Sequence, residues 1–79
     1  MSTGVLIVNP FATRVSAGIT GAVARALGGP EVVWTERPGH ATELARGAAG
    51  AEAIYVFSGD GGFNEVLNGA HADTPLGFV

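Results

Sequence analysis

The sequence predicts a three-layer α/β unit built on a parallel sheet. Short strand-like apolar runs alternate with stretches whose apolar residues recur at helical spacing, and the connections between them are brief. The first run is apolar on both faces, as suits a strand buried inside a parallel sheet. Units of this kind close with right-handed crossovers.

Residues Val5–Val8 form the first predicted strand, ended by Asn9-Pro10. From Val15 the apolar positions Val15, Ile19, Val23, Ala26 and Leu27 describe an amphipathic helix, and Gly28-Gly29-Pro30 stops it. Residues 31–35 read as a second strand around Val32-Val33-Trp34, with the lone tryptophan expected in the core, and Glu36-Arg37-Pro38-Gly39 turns the chain. Ala41, Leu44, Ala45 and Ala48 repeat at i, i+3, i+4 and i+7 and mark a second helix ending near Gly50. Residues 53–57, β-branched and aromatic, make the third strand and run straight into Ser58-Gly59-Asp60-Gly61-Gly62. Phe63, Val66, Leu67 and Ala70 then place a third helix beginning within or just after the glycines, and residues 76–79 begin another strand.

With 79 residues, the chain fits one small domain. Its hydrophobic fraction of 47% is spread over short runs, none approaching the roughly 20 residues of a membrane-spanning helix. Met1-Ser2-Thr3-Gly4 carries no basic segment and Val5–Val8 is too short for a signal peptide, so a cytoplasmic location is expected. The absence of cysteine excludes disulfides and thiolate metal sites. A net charge of −3 argues against a nucleic-acid partner, whose backbone calls for a basic surface. It leaves room for a single nucleotide, because backbone N–H groups in glycine turns and at helix N-termini can hold phosphates.

The chemistry concentrates in Ser58-Gly59-Asp60-Gly61-Gly62-Phe63-Asn64-Glu65-Val66-Leu67-Asn68-Gly69. A glycine-rich strand-to-helix turn lets the backbone take positive φ values and approach an anion closely, and the following helix aims its N–H groups at the same place. Asp60 is the odd member, since a carboxylate beside a phosphate repels it. It is expected to face nucleotide hydroxyls, a water or a metal ion. The plainer alternative makes Asp60 a helix cap and the glycines a tight turn.

Gly59-Asp60-Gly61 with Asn64-Glu65-Val66 and Asn68-Gly69 resembles the signature of the diacylglycerol kinase catalytic domain, which sphingosine kinases share. Ile7-Val8-Asn9-Pro10 is similar to the turn after that domain's first strand. Thr35 with Gly39-His40-Ala41 resembles its second-strand threonine and the helix start that follows. The resemblance implies a Rossmann-like, NAD kinase-like nucleotide-binding part in which Asn9, Thr35, Ser58, Gly59, Asp60, Gly61, Gly62, Phe63 and Asn64 line an ATP site.

Taken alone, Asn9 reads equally as a strand-end turn residue, Thr35 as a β-branched strand residue, and Glu65 as a first-turn acid or a support for the glycine loop. His40 reads as a helix-start residue and His71 as a loop residue. Two positions depart from the commonest bacterial form, which has Gly where Ser58 stands and Thr where Gly62 stands. Ser58 follows the sphingosine-kinase-like variant, and at Gly62 only backbone contact is expected. Phe11-Ala12-Thr13 replaces the usual Ser-Gly ending of the first turn.

The resemblance also implies a lipid acceptor, ATP as phosphate donor, Mg2+, and a full-length enzyme working peripherally at the membrane surface. A β-rich second domain with the general base and the metal-associated acids would lie beyond Val79, leaving these residues inactive alone. Three other readings compete. NAD kinases share Gly-Asp-Gly but place their Asn-Glu pair further along the chain. A non-catalytic nucleotide-binding or interaction module is the second. A dinucleotide-binding protein is the third, and no G-x-G-x-x-G follows the first strand. An apolar sheet edge at residues 76–79 is expected to promote homodimers.

Overall fold

The first three strands form where β-branched residues cluster, and each strand of the sheet is only three or four residues long. In a computed structural model, which describes residues 4–13 and 15–79 and Asp60 by its backbone alone, the order is β1 (Val5–Val8), α1 (Ala17–Ala26), β2 (Glu31–Trp34), α2 (His40–Gly47), β3 (Ile54–Phe57), α3 (Asp60–Gly69) and β4 (Leu76–Phe78). The reading of Met1-Ser2-Thr3 lies outside the described residues. The strands make one sheet in the order β2-β1-β3-β4. Every pairing is parallel, and Ile7 stands opposite Val33 on one side and Val56 on the other.

Alternation along the strands sorts the core into two layers. Leu6, Val8 and Phe57 point to one face, where Val23, Ala24 and Leu27 of α1 cover them. Ile7, Ile54 and Val56 point to the other, beneath Ala41 and Ala45 of α2 and Val66 of α3. One helix on one face and two on the other is what crossovers of a single hand generate for this strand order. The three-layer α/β architecture is therefore present.

Several details depart from the sequence reading. The first helix starts at Ala17, because Ser16 in extended conformation caps it, its Oγ accepting from the Ile19 N–H at 3.2 Å. Its sheet-facing stripe holds buried Thr20 and half-buried Val23 and Ala24, continued by the C-cap Leu27, whereas Ile19 is half exposed. Thr20 Oγ1 is buried without a hydrogen-bond partner. Trp34 is 41% exposed instead of buried, because β2 is an edge strand and only Val32 of that strand reaches the α1 layer.

Helices α2 and α3 meet at very short range. Thr42 Oγ1 donates to the Glu65 carbonyl at 2.7 Å. At Gly69 the helices are so close that a Cβ would overlap the Thr42 carbonyl oxygen and lie 2.9 Å from its carbon. The glycine near the end of α3 is thus explained by helix packing. At the outer edge of the sheet, the rings of Phe63 and Phe78 stack at 4.3 Å between centroids and tie α3 to β4.

Candidate nucleotide site at the strand ends

A parallel sheet gathers the loops that follow its strands at one end, and the chain leaves β1 towards β2 but leaves its neighbour β3 in the opposite direction, towards β4. That divergence opens a crevice beyond the strand ends, the place where open α/β sheets bind ligands. The ladder continues one residue past the strands, with the Asn9 N–H donating to the Phe57 carbonyl at 3.1 Å and the Thr35 N–H to the Val8 carbonyl at 2.8 Å. The register of Val33, Ile7 and Val56 therefore extends to Thr35, Asn9 and Ser58. These three polar residues stand side by side on the α2/α3 face of the sheet.

They line a cavity of about 500 Å³, together with Gly61, Gly62 and Glu65 of α3 and Glu36, Arg37 and Pro38 of the β2–α2 turn. Phe11, 77% exposed, stands in the same lining. Both readings of Asn9 hold in part. Its Oδ1 accepts from the Phe11 N–H at 2.9 Å and builds the turn, while the residue also lines the cavity. Thr35 is buried at the cavity wall.

The glycine segment works differently from expectation. None of Gly59, Gly61 and Gly62 has positive φ; the left-handed glycines are Gly28, Gly29 and Gly39. Gly59 is the N-cap of α3 in extended conformation, with no side chain capping the helix, so Asp60 is the first helical residue and not its cap. Its side chain lies outside the described residues.

Gly61 and Gly62, with Glu65 one turn on, share the helix face that meets the cavity. Helical periodicity carries the next two residues elsewhere. Phe63 turns into the core against Phe78, and Asn64 faces solvent, so neither lines the cavity as the motif implied. Gly59 is exposed just outside the lining, its carbonyl accepting from the N–H groups of Gly62 and Phe63.

The β2–α2 turn supplies cavity residues absent from the sequence reading. Gly39, with φ of 82°, reverses the chain, a conformation in which any Cβ would be strained. His40 Nδ1 accepts from the Glu36 N–H at 2.9 Å, which makes His40 a brace for the turn. The Arg37 guanidinium pairs with Glu43 at 2.5 Å and holds that carboxyl below its ordinary pKa. Glu43 is solvent-exposed, so the contribution is screened; it is present above the unfolded-state value and lost as pH falls through the depressed one. The signal for Glu36, Arg37 and Pro38 was topological: theirs is the third loop at the same end of the sheet.

Comparison with known proteins agrees with this geometry. The model of the "Diacylglycerol kinase catalytic domain" family matches residues 3–79. Three solved structures that carry the name diacylglycerol kinase, all from Bacillus anthracis str. Sterne, superpose with TM-scores of 0.80, 0.80 and 0.81 at 28% identity over 99% of this chain. The chain spans 30–32% of the length of those structures. No curated protein sequence matches it significantly. With a strand order, a crevice and a glycine-rich helix start in agreement with a family match over nearly its whole length, the chain belongs to the diacylglycerol kinase catalytic domain family.

Proposed function

We propose that these residues form the ATP-binding part of a lipid kinase that transfers the γ-phosphate of ATP to a lipid hydroxyl, on diacylglycerol or a sphingoid-type acceptor. The observation that carries the reading is the row of Thr35, Asn9 and Ser58 facing the bare first turn of α3 across one cavity. Side-chain donors and acceptors on the sheet suit ribose and phosphate oxygens, and a helix start without a side-chain cap suits the phosphate charge.

Phosphoryl transfer also needs an activated acceptor hydroxyl and charge neutralisation. Among the described residues no group of three or more His, Cys, Asp or Glu could hold a metal ion. The proposed enzyme therefore includes a general base and metal-binding acids outside the described residues. Among the described residues no helix is long and apolar enough to cross a membrane.

Two measurements test the proposal. In the full-length protein, Gly61→Val adds a side chain whose Cβ finds open space beside the cavity. The melting temperature should hold, while the KM for ATP rises at least about tenfold, a loss of about 1.4 kcal/mol. An unchanged KM would remove the cavity from the nucleotide path.

The 79-residue chain alone should bind ATP weakly, with Kd near 1 mM, about −4 kcal/mol. It should transfer no labelled phosphate to mixed diacylglycerol and sphingoid lipids in the presence of magnesium. Phe78, 67% exposed on the outer strand, should also make it elute above its monomer mass in size exclusion. Labelled lipid above an Asp60→Ala control would show the remaining parts to be dispensable.

A further inference from the structure

Gly62 lies in the first turn of α3 without positive φ, so backbone conformation does not call for glycine there. Space does. A Cβ at position 62 would overlap Ser58 Oγ and come within 2.7 Å of Ser58 Cβ, whereas at neighbouring Gly61 it would meet nothing. Both Ser58 and Gly62 line the cavity. We infer that positions 58 and 62 share a single side-chain volume at the phosphate end of the cavity, so that Ser58 supplies the one hydroxyl that fits there and Gly62 is its steric complement.

The inference deepens the ATP-binding reading and rests on it. Ser58 stands in register with Asn9 and Thr35, and its Oγ donates to the adjacent Gly59 carbonyl at 3.2 Å. A bond so long to a neighbouring residue is readily exchanged for a charged phosphate oxygen, a shorter and stronger acceptor. The absence of a side chain at 62 has two consequences at once. It leaves room for that hydroxyl, and it exposes the helix backbone beside it to the same anion. A chain carrying side chains at both positions would have to displace the strand end or unwind the first turn of α3.

The test uses the full-length protein and four versions of the pair: wild type, Ser58→Ala, Gly62→Thr and the double variant Ser58→Gly/Gly62→Thr. Binding of ATP, inorganic tripolyphosphate and adenosine is measured by calorimetry, with thermal melting alongside. Ser58→Ala should weaken ATP and tripolyphosphate by the same factor, about tenfold, the size of one hydrogen bond to a charged group. It should leave adenosine binding and the melting temperature unchanged.

Gly62→Thr should melt lower and lose ATP binding by more than that factor. The double variant, which returns a hydroxyl to the shared volume from the helix side, should recover both to within about threefold in affinity. Wild-type affinity for tripolyphosphate in Ser58→Ala overturns the role of the hydroxyl while ATP binding itself stands. A Gly62→Thr protein as stable as wild type, or a double variant no better than Gly62→Thr, overturns the shared volume. A wild type that binds neither ATP nor tripolyphosphate overturns the proposed function together with this inference.

Discussion

Gly69→Val should unfold the domain or leave it barely folded. At this position a Cβ overlaps the backbone of Thr42, and a carbonyl in the middle of a helix cannot swing aside as a flexible side chain can. Relief requires α2 and α3 to separate, breaking the bond from Thr42 Oγ1 to the Glu65 carbonyl and opening the packing of Ala41, Ala45 and Val66. Overpacking alone costs about 1–3 kcal/mol, and the loss of contacts adds to it. A domain of this size has a total stability of only about 4–12 kcal/mol. The melting temperature should fall by about 10 °C or more, with soluble expression falling too. A melting curve within about 3 °C of wild type would show that the helices slide apart freely and that the close crossing contributes little.

Asp60→Ala should have the opposite profile. Asp60 begins α3 between the N-cap Gly59 and the cavity-lining Gly61, and an acid in a first helical turn contributes about 0.3–1 kcal/mol through the helix dipole. Melting should therefore move by only a few degrees. If this turn binds phosphate as proposed, a carboxylate beside it is suited to a cation or the nucleotide hydroxyls rather than to the phosphate itself. In the full-length enzyme its removal should lower kcat/KM by about 10²–10³, as loss of a group that organises charge at the reacting phosphate does. Near-normal turnover at saturating ATP and magnesium would reduce Asp60 to a helix-start residue.

The two variants show which layer of the structure the sequence exposed. The first three strands announced themselves through β-branched runs, and the crevice followed from alternation of strands and helices. Position along a motif, however, is not position in space. Phe63 and Asn64 directly follow the clustered glycines of the motif, yet 100° per residue sends one into the core and the other into water. Glu36 and Arg37 carry no motif and still reach the cavity, because a tertiary crossing brought their turn there.

The glycines were legible as a group, but their reasons separate only in three dimensions. Gly39 serves a left-handed turn, Gly62 makes room for Ser58, and Gly69 admits Thr42. Trp34 and Ile19 misled for a simpler reason: composition does not reveal that β2 is an edge or how α1 is rotated on the sheet.

The exposure of Trp34 has a practical side. It is the only tryptophan in these 79 residues, it ends an edge strand, and the next residue is the buried cavity threonine Thr35. Its indole stands on the opposite face of the sheet from the cavity, with 41% of the residue in contact with water. A ligand in the cavity that tightens the β2–α2 turn should alter its emission without touching the ring, so the chain carries an intrinsic reporter that stands clear of whatever fills the cavity.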